Sequence, residues 1–193
     1  GSVLGFFWSF FNPLLLLLVY SFVFKYMLPA NYKGIEHYEL FLFCGILPWT
    51  WFSSSLLESS NVLISGGNLI KKVLFPAEVL PIVTVLANLV HFLLGLPILI
   101  AFLIYFGRPI HVSELAWFPF VVLVQLLLSS ALALILSALT VHFRDIKDIL
   151  ANVMQLWFFA TPIIYYWRFA PAPIQPYLDL NPFTHLAISY QEI

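Results

Sequence analysis

Glu58, His91 and His142 are the side chains whose types best suit proton-transfer chemistry. A carboxylate or imidazole acts as a general acid or base when its surroundings bring its pKa near the working pH. Glu58 and His142 fall near the ends of long apolar runs, where solvation is cheap. His91 falls deeper, and an ionisable group there is a functional candidate; a hydrogen bond to a neighbouring helix is the competing account. These residues leave open an integral-membrane enzyme such as an acyltransferase working through His91 or Glu58. The sequence contains no Gly-x-Ser-x-Gly, no His-Glu-x-x-His and no Gly-x-x-x-x-Gly-Lys-Ser/Thr phosphate loop. Gly66-Gly67 ahead of Lys71-Lys72 echoes the last motif with the wrong spacing.

A second chemistry is that of docking. Asn68-Leu69-Ile70-Lys71-Lys72-Val73-Leu74-Phe75-Pro76-Ala77-Glu78 interrupts two apolar runs. Two lysines, a proline and an acid cannot remain in hydrocarbon, so this segment must surface. Leu69, Ile70, Val73, Leu74 and Phe75 make it too apolar for a solvated loop. Two readings fit: an amphipathic segment lying on the bilayer with Lys71 and Lys72 drawn to anionic lipid, or a knob docking onto a protein outside the membrane.

The elements that must carry these residues are set by composition. The 193 residues are 62% hydrophobic and 9% charged, against roughly 25% charged in an ordinary soluble domain, and the mean hydropathy is +0.99. Five apolar stretches, 6–24, 38–57, 79–106, 115–141 and 149–167, reach or approach the ~20 residues that cross the hydrocarbon core. They lack the alternation of barrel strands, so helices must satisfy the backbone in lipid. The expected fold is an all-α integral membrane protein, a polytopic helical bundle forming one transmembrane domain over residues 1–193. A net charge of −1 gives no basic stripe, so no nucleic-acid partner is expected. Cys44 is the only cysteine, which excludes an internal disulfide and a cysteine zinc site.

Within the runs, Pro48 with Trp49, Trp51 and Ser53 to Ser55 predicts a distorted helix whose polar groups face other helices or a cavity. Gln125, Ser129, Ser130 and Ser137 form a sparse polar stripe expected to pack against protein, where small residues let helices approach closely. Between 142 and 148, His142 and Arg144 suit a helix C-terminus, and Asp145 with Asp148 three residues on suits the next N-terminus. Residues 168–193, broken by Pro171, Pro173, Pro176 and Pro182, predict short interfacial helices or a re-entrant segment. The positive-inside rule leaves orientation undecided: Lys71, Lys72, Arg144 and Lys147 on one side balance Lys25, Lys33, Arg108 and Arg168 on the other.

Phe43-Cys44-Gly45-Ile46-Leu47-Pro48-Trp49 followed by the segment 68–78 resembles the polysaccharide-export permeases of type-two ABC transporters. Phe143-Arg144-Asp145-Ile146, Thr161-Pro162-Ile163-Ile164-Tyr165 and Asn181-Pro182-Phe183 resemble that family in the same order. The resemblance implies a transmembrane subunit exporting O-antigen, capsular polysaccharide or teichoic acid as a lipid-linked glycan. A small hydrophobic drug exporter of the same architecture is the alternative within transport. The family pattern adds an interfacial helix before the first span and a sixth span after the last, so this chain is expected to be part of a longer permease. Gln191 stands where the family often has arginine.

The resemblance further implies a homodimer in a bacterial cytoplasmic membrane, paired with nucleotide-binding ATPase subunits. No cofactor is then expected on this chain, with ATP and magnesium held by the partner. It turns Asn68, Leu69, Ile70, Lys71, Lys72, Val73, Leu74, Phe75 and Pro76 into the coupling element and places them with Arg144 and Asp145 in the cytoplasm. Tryptophans near span ends suit an interfacial belt. In exporters of this kind the first and fifth spans help line the conduit, which makes Trp8, Phe11, Trp157, Phe158, Tyr165 and Tyr166 candidates for stacking on sugar rings. Lipid contact and helix packing compete for each.

Overall fold

The computed structural model describes residues 38–66, 76–107 and 115–192, with isolated positions between 11 and 23. Three helices there are long and apolar enough to cross a membrane: α1 (Tyr38–Ser65), α2 (Val79–Tyr105) and α3 (Phe118–His142). They are followed by α4 (Ile146–Phe159), a 3-10 turn (Trp167–Phe169), α5 (Gln175–Leu180) and α6 (Pro182–Glu192). An all-helical bundle is what the sequence requires, because helices close their own backbone hydrogen bonds in lipid.

The central helix is α1, which packs against α2, α3, α4 and α6. It runs eight residues beyond the expected end at Leu57. Apolarity stops there, but the helix does not: Ser59 and Ser60 are buried against protein. Pro48 and Pro97 lie inside α1 and α2 without ending them. The stripe on α3 behaves as expected. Gln125, Ser129, Ala133, Ser137 and Thr140 are its buried residues, at three- and four-residue spacing. Gln125 Nε2 donates to the Pro48 carbonyl at 2.9 Å. The opposite faces of α2 and α3 expose Val83, Val90, Ile104, Leu127 and Ile135, a surface suited to lipid.

The fifth run departs from expectation. Its helix, α4, spans only Ile146–Phe159 instead of continuing to Trp167. Pro162 has no amide hydrogen and biases Thr161 away from helical geometry. The chain then turns through Thr161, Pro162 and Ile163, all buried. Carbonyls around this break are claimed by side chains from elsewhere. Asn181 Nδ2 reaches the Ala160 carbonyl at 3.4 Å, and Gln191 Nε2 reaches those of Pro162 and Ile163 at 3.2 and 3.4 Å. Tyr38 OH donates to the Ile164 carbonyl. Gly45 permits this close approach, since a Cβ there would stand 3.0 Å from Ile163 Cγ2.

Candidate functional site

Residues 68–75 of the expected coupling element, and Trp8, lie outside the described residues. The flanks of that segment are in place. The helix α1 ends at Ser65 and its antiparallel neighbour α2 begins at Val79, so both ends emerge from one side of the bundle. Pro76 is exposed, and its carbonyl accepts from Val79 N at 3.2 Å. Arg144 and Asp145 are exposed in the turn joining α3 to α4. Alternation of the spans puts that turn on the same side. Asp145 occupies the position before α4, but its side chain makes no cap hydrogen bond. Its carbonyl accepts from Asp148 N and Ile149 N, each at 3.1 Å. The expected side-chain cap is thus replaced by a turn of backbone.

At the other end of α4, a cavity of about 570 Å³ is lined by Trp157, Phe159, Ala160, Tyr165, Ile174, Tyr177, Leu178, Asn181 and Pro182. That volume lies in the range of small-molecule sites. The structure brings Trp157 and Tyr165 together here and adds Tyr177, which the sequence did not single out. Asn181 organises the wall. Its Oδ1 accepts from Trp157 Nε1 at 2.8 Å and from Phe183 N at 3.0 Å. Its Nδ2 donates to Thr161 Oγ1 at 3.0 Å. The Asn-Pro pair before an apolar run was the available signal, since asparagine favours helix N-termini.

The remaining candidates take other positions. Phe158 packs on Trp49 with ring centroids 5.7 Å apart and belongs with the core rather than the cavity. The Trp157 ring also meets Phe52 edge-on at 5.4 Å, so only part of it is available to the cavity. Tyr166 stands between Phe41 and Phe169, at 6.1 and 5.5 Å, with the Arg168 guanidinium 5.8 Å from its ring. Phe11 is exposed.

Of the titratable candidates, Glu58 accepts a hydrogen bond from Asn88 Nδ2 at 2.8 Å. His91 is exposed on α2, and His142 Nδ1 lies 3.1 Å from the Ala138 carbonyl of its own helix.

Comparison with known proteins gives this arrangement a family. The chain is 40% identical over its whole length to the O-antigen export system permease protein RfbA of Myxococcus xanthus, covering 74% of that protein. It is 34% and 31% identical, again over its whole length, to two proteins of that description from Klebsiella pneumoniae, covering 73% of each. The sequence profile of the ABC-2 type transporters matches residues 1–193. With membrane-length helices and relatives that are permeases, this chain is a multi-pass transport protein belonging to the ABC-2 type transporter family.

Proposed function

We propose that this chain is the membrane subunit of an ATP-driven exporter that moves a lipid-linked polysaccharide outward across a bacterial cytoplasmic membrane. The reading is carried by full-length similarity to permeases of O-antigen export. Two copies form the membrane part, and ATP with magnesium is bound by separate ATPase subunits. The segment Asn68–Pro76 docks on the ATPase: Val73, Leu74 and Phe75 supply an apolar knob, and Lys71 and Lys72 a basic rim. Arg144 and Asp145 lie on the same face.

Between the two copies, the aromatic wall around Trp157, Tyr165 and Tyr177 offers sugar rings broad, weakly holding contacts. Such contacts suit a cargo that must keep moving. In the assembled transporter, Phe75→Asp is expected to abolish co-purification of the ATPase while the permease stays folded. Tyr165→Ala is expected to keep the ATPase and lower glycan export severalfold. Intact association and full export by both variants would overturn the proposal.

A further inference from the structure

Three side-chain hydrogen bonds join α1 to α2 among the described residues. Trp51 Nε1 donates to the Val85 carbonyl at 3.2 Å, Ser59 Oγ to the Pro81 carbonyl at 3.3 Å, and Asn88 Nδ2 to Glu58 Oε2 at 2.8 Å. Asn88 also donates to the Thr84 carbonyl at 3.1 Å, which fixes its amide on its own helix. The three bonds lie about 9, 10 and 21 Å from the end of α1, at 1.5 Å per residue. The Ser59 and Glu58 bonds therefore fall in the part of α1 that adjoins residues 67–75, and the Trp51 bond lies at its middle. The side-chain bond from α3 to α1 is made at Pro48, three residues beyond Trp51.

Glu58–Asn88 is the member of this set that needs explaining. Asn88 is buried whereas Glu58 is exposed two turns from the end of α1, so the bond ties a surface carboxylate of one helix to a buried amide of the other, where serine or tryptophan bonds alone would have joined the helices. A hydrogen bond between two side chains is directional, preferring a short donor–acceptor distance and a near-linear angle. It gives the joint a fixed length and direction that apolar packing lacks.

We propose that Glu58 and Asn88 are a positioning pair that locks α1 and α2 into one rigid hairpin, so that a push on the segment between them moves both helices together. The inference rests on the reading of Asn68–Pro76 as the coupling element. The pair touches neither nucleotide nor cargo; it sets how much of the ATPase stroke reaches the bundle.

The test uses the complete permease–ATPase complex in proteoliposomes and reads glycan exported per ATP hydrolysed. Asn88→Leu keeps the shape, removes the donor and is expected to lower that ratio about tenfold, the scale of one lost side-chain hydrogen bond. The exchanged pair Glu58→Gln with Asn88→Asp swaps donor and acceptor and is expected to restore it. A purely structural role would reduce export and hydrolysis in proportion, leaving the ratio unchanged. An unchanged ratio in Asn88→Leu, or no recovery in the exchanged pair, overturns the proposal.

Should Asn88→Leu fail to assemble, spin labels at the exposed positions Ile64 and Val83 of the otherwise native complex decide. Their separation is expected to stay constant between nucleotide-free and ATP-bound states, and a change overturns the rigid hairpin. Failure of the coupling reading itself would show separately, as ATPase association that survives Phe75→Asp.

Discussion

The helices α1 and α2 are 28 and 27 residues long, and both are apolar enough to span a bilayer, yet they live in different solvents. In the most apolar 18 residues of α1, 67% are buried within the bundle, against 17% in α2. Their polar content follows the same division. The buried helix holds Ser55, Ser59 and Ser60 in the interior and Ser53, Ser54 and Asn61 half-buried, whereas of Thr84, Asn88 and His91 on α2 only Asn88 is buried. A helix surrounded by other helices can bury small hydroxyls against protein, and most hydroxyls of α1 are bonded to its own carbonyls. A helix facing acyl chains has no such cover, and each polar group on that face is an uncompensated loss. Hydropathy therefore selects the spans, while the distribution of small polar residues selects the one at the centre.

The sharpest way to break this contrast is to truncate one side chain on each helix. Phe52 is fully buried, with the Phe183 ring 4.7 Å away, and Phe52→Ala is expected to cost about 3–5 kcal/mol of stability. Leu93 is exposed on α2, and Leu93→Ala is expected to cost under about 1 kcal/mol because lipid fills the space as well as leucine did. Reversible unfolding in mixed micelles measures both, and equal losses would remove the distinction.

Next in size is a charge on the outer face of α2. Val90 is exposed near mid-helix, and Val90→Asp is expected to oppose membrane insertion by about 2.5–3.5 kcal/mol, read as the fraction inserted in a translocation assay. Normal insertion would mean that protein or water, rather than lipid, covers that face.

The smallest effect concerns α3. Ser129 is buried, and its hydroxyl has no hydrogen-bond partner among the described residues. Ser129→Ala should therefore leave stability within about 0.5 kcal/mol. A larger loss in the same unfolding measurement would show that the stripe acts through bonds rather than through the close approach that small side chains allow.

Much of the architecture was legible in the residues, and the misses share a cause. The starts of α1 and α2 and the end of α2 lie within a residue of the sequence expectation, because composition changes sharply there. The C-terminal part of α1 was missed because a falling hydropathy looks the same whether the next environment is water or protein. Pro48, Pro97 and Pro162 are alike in sequence, yet only Pro162 ends its helix. The carbonyls freed around Pro162 are taken by side chains of Tyr38, Asn181 and Gln191, contacts no local pattern announces. In the candidate site, Trp157 and Tyr165 were legible as aromatics near a span end. Tyr177 and the bracing by Asn181 required the chain to fold back. Glu58 was visible as an odd charge, but its partner Asn88, thirty residues away, was not.

The early stop of α4 carries a consequence for the membrane itself. Fourteen residues of helix rise about 21 Å, well short of the ~30 Å hydrocarbon thickness. Beyond that point the backbone leaves helical form, which a bilayer tolerates only where protein or water surrounds it. The turn through Thr161, Pro162 and Ile163 meets that condition with protein, since all three are buried and their neighbouring carbonyls are taken by Tyr38, Asn181 and Gln191.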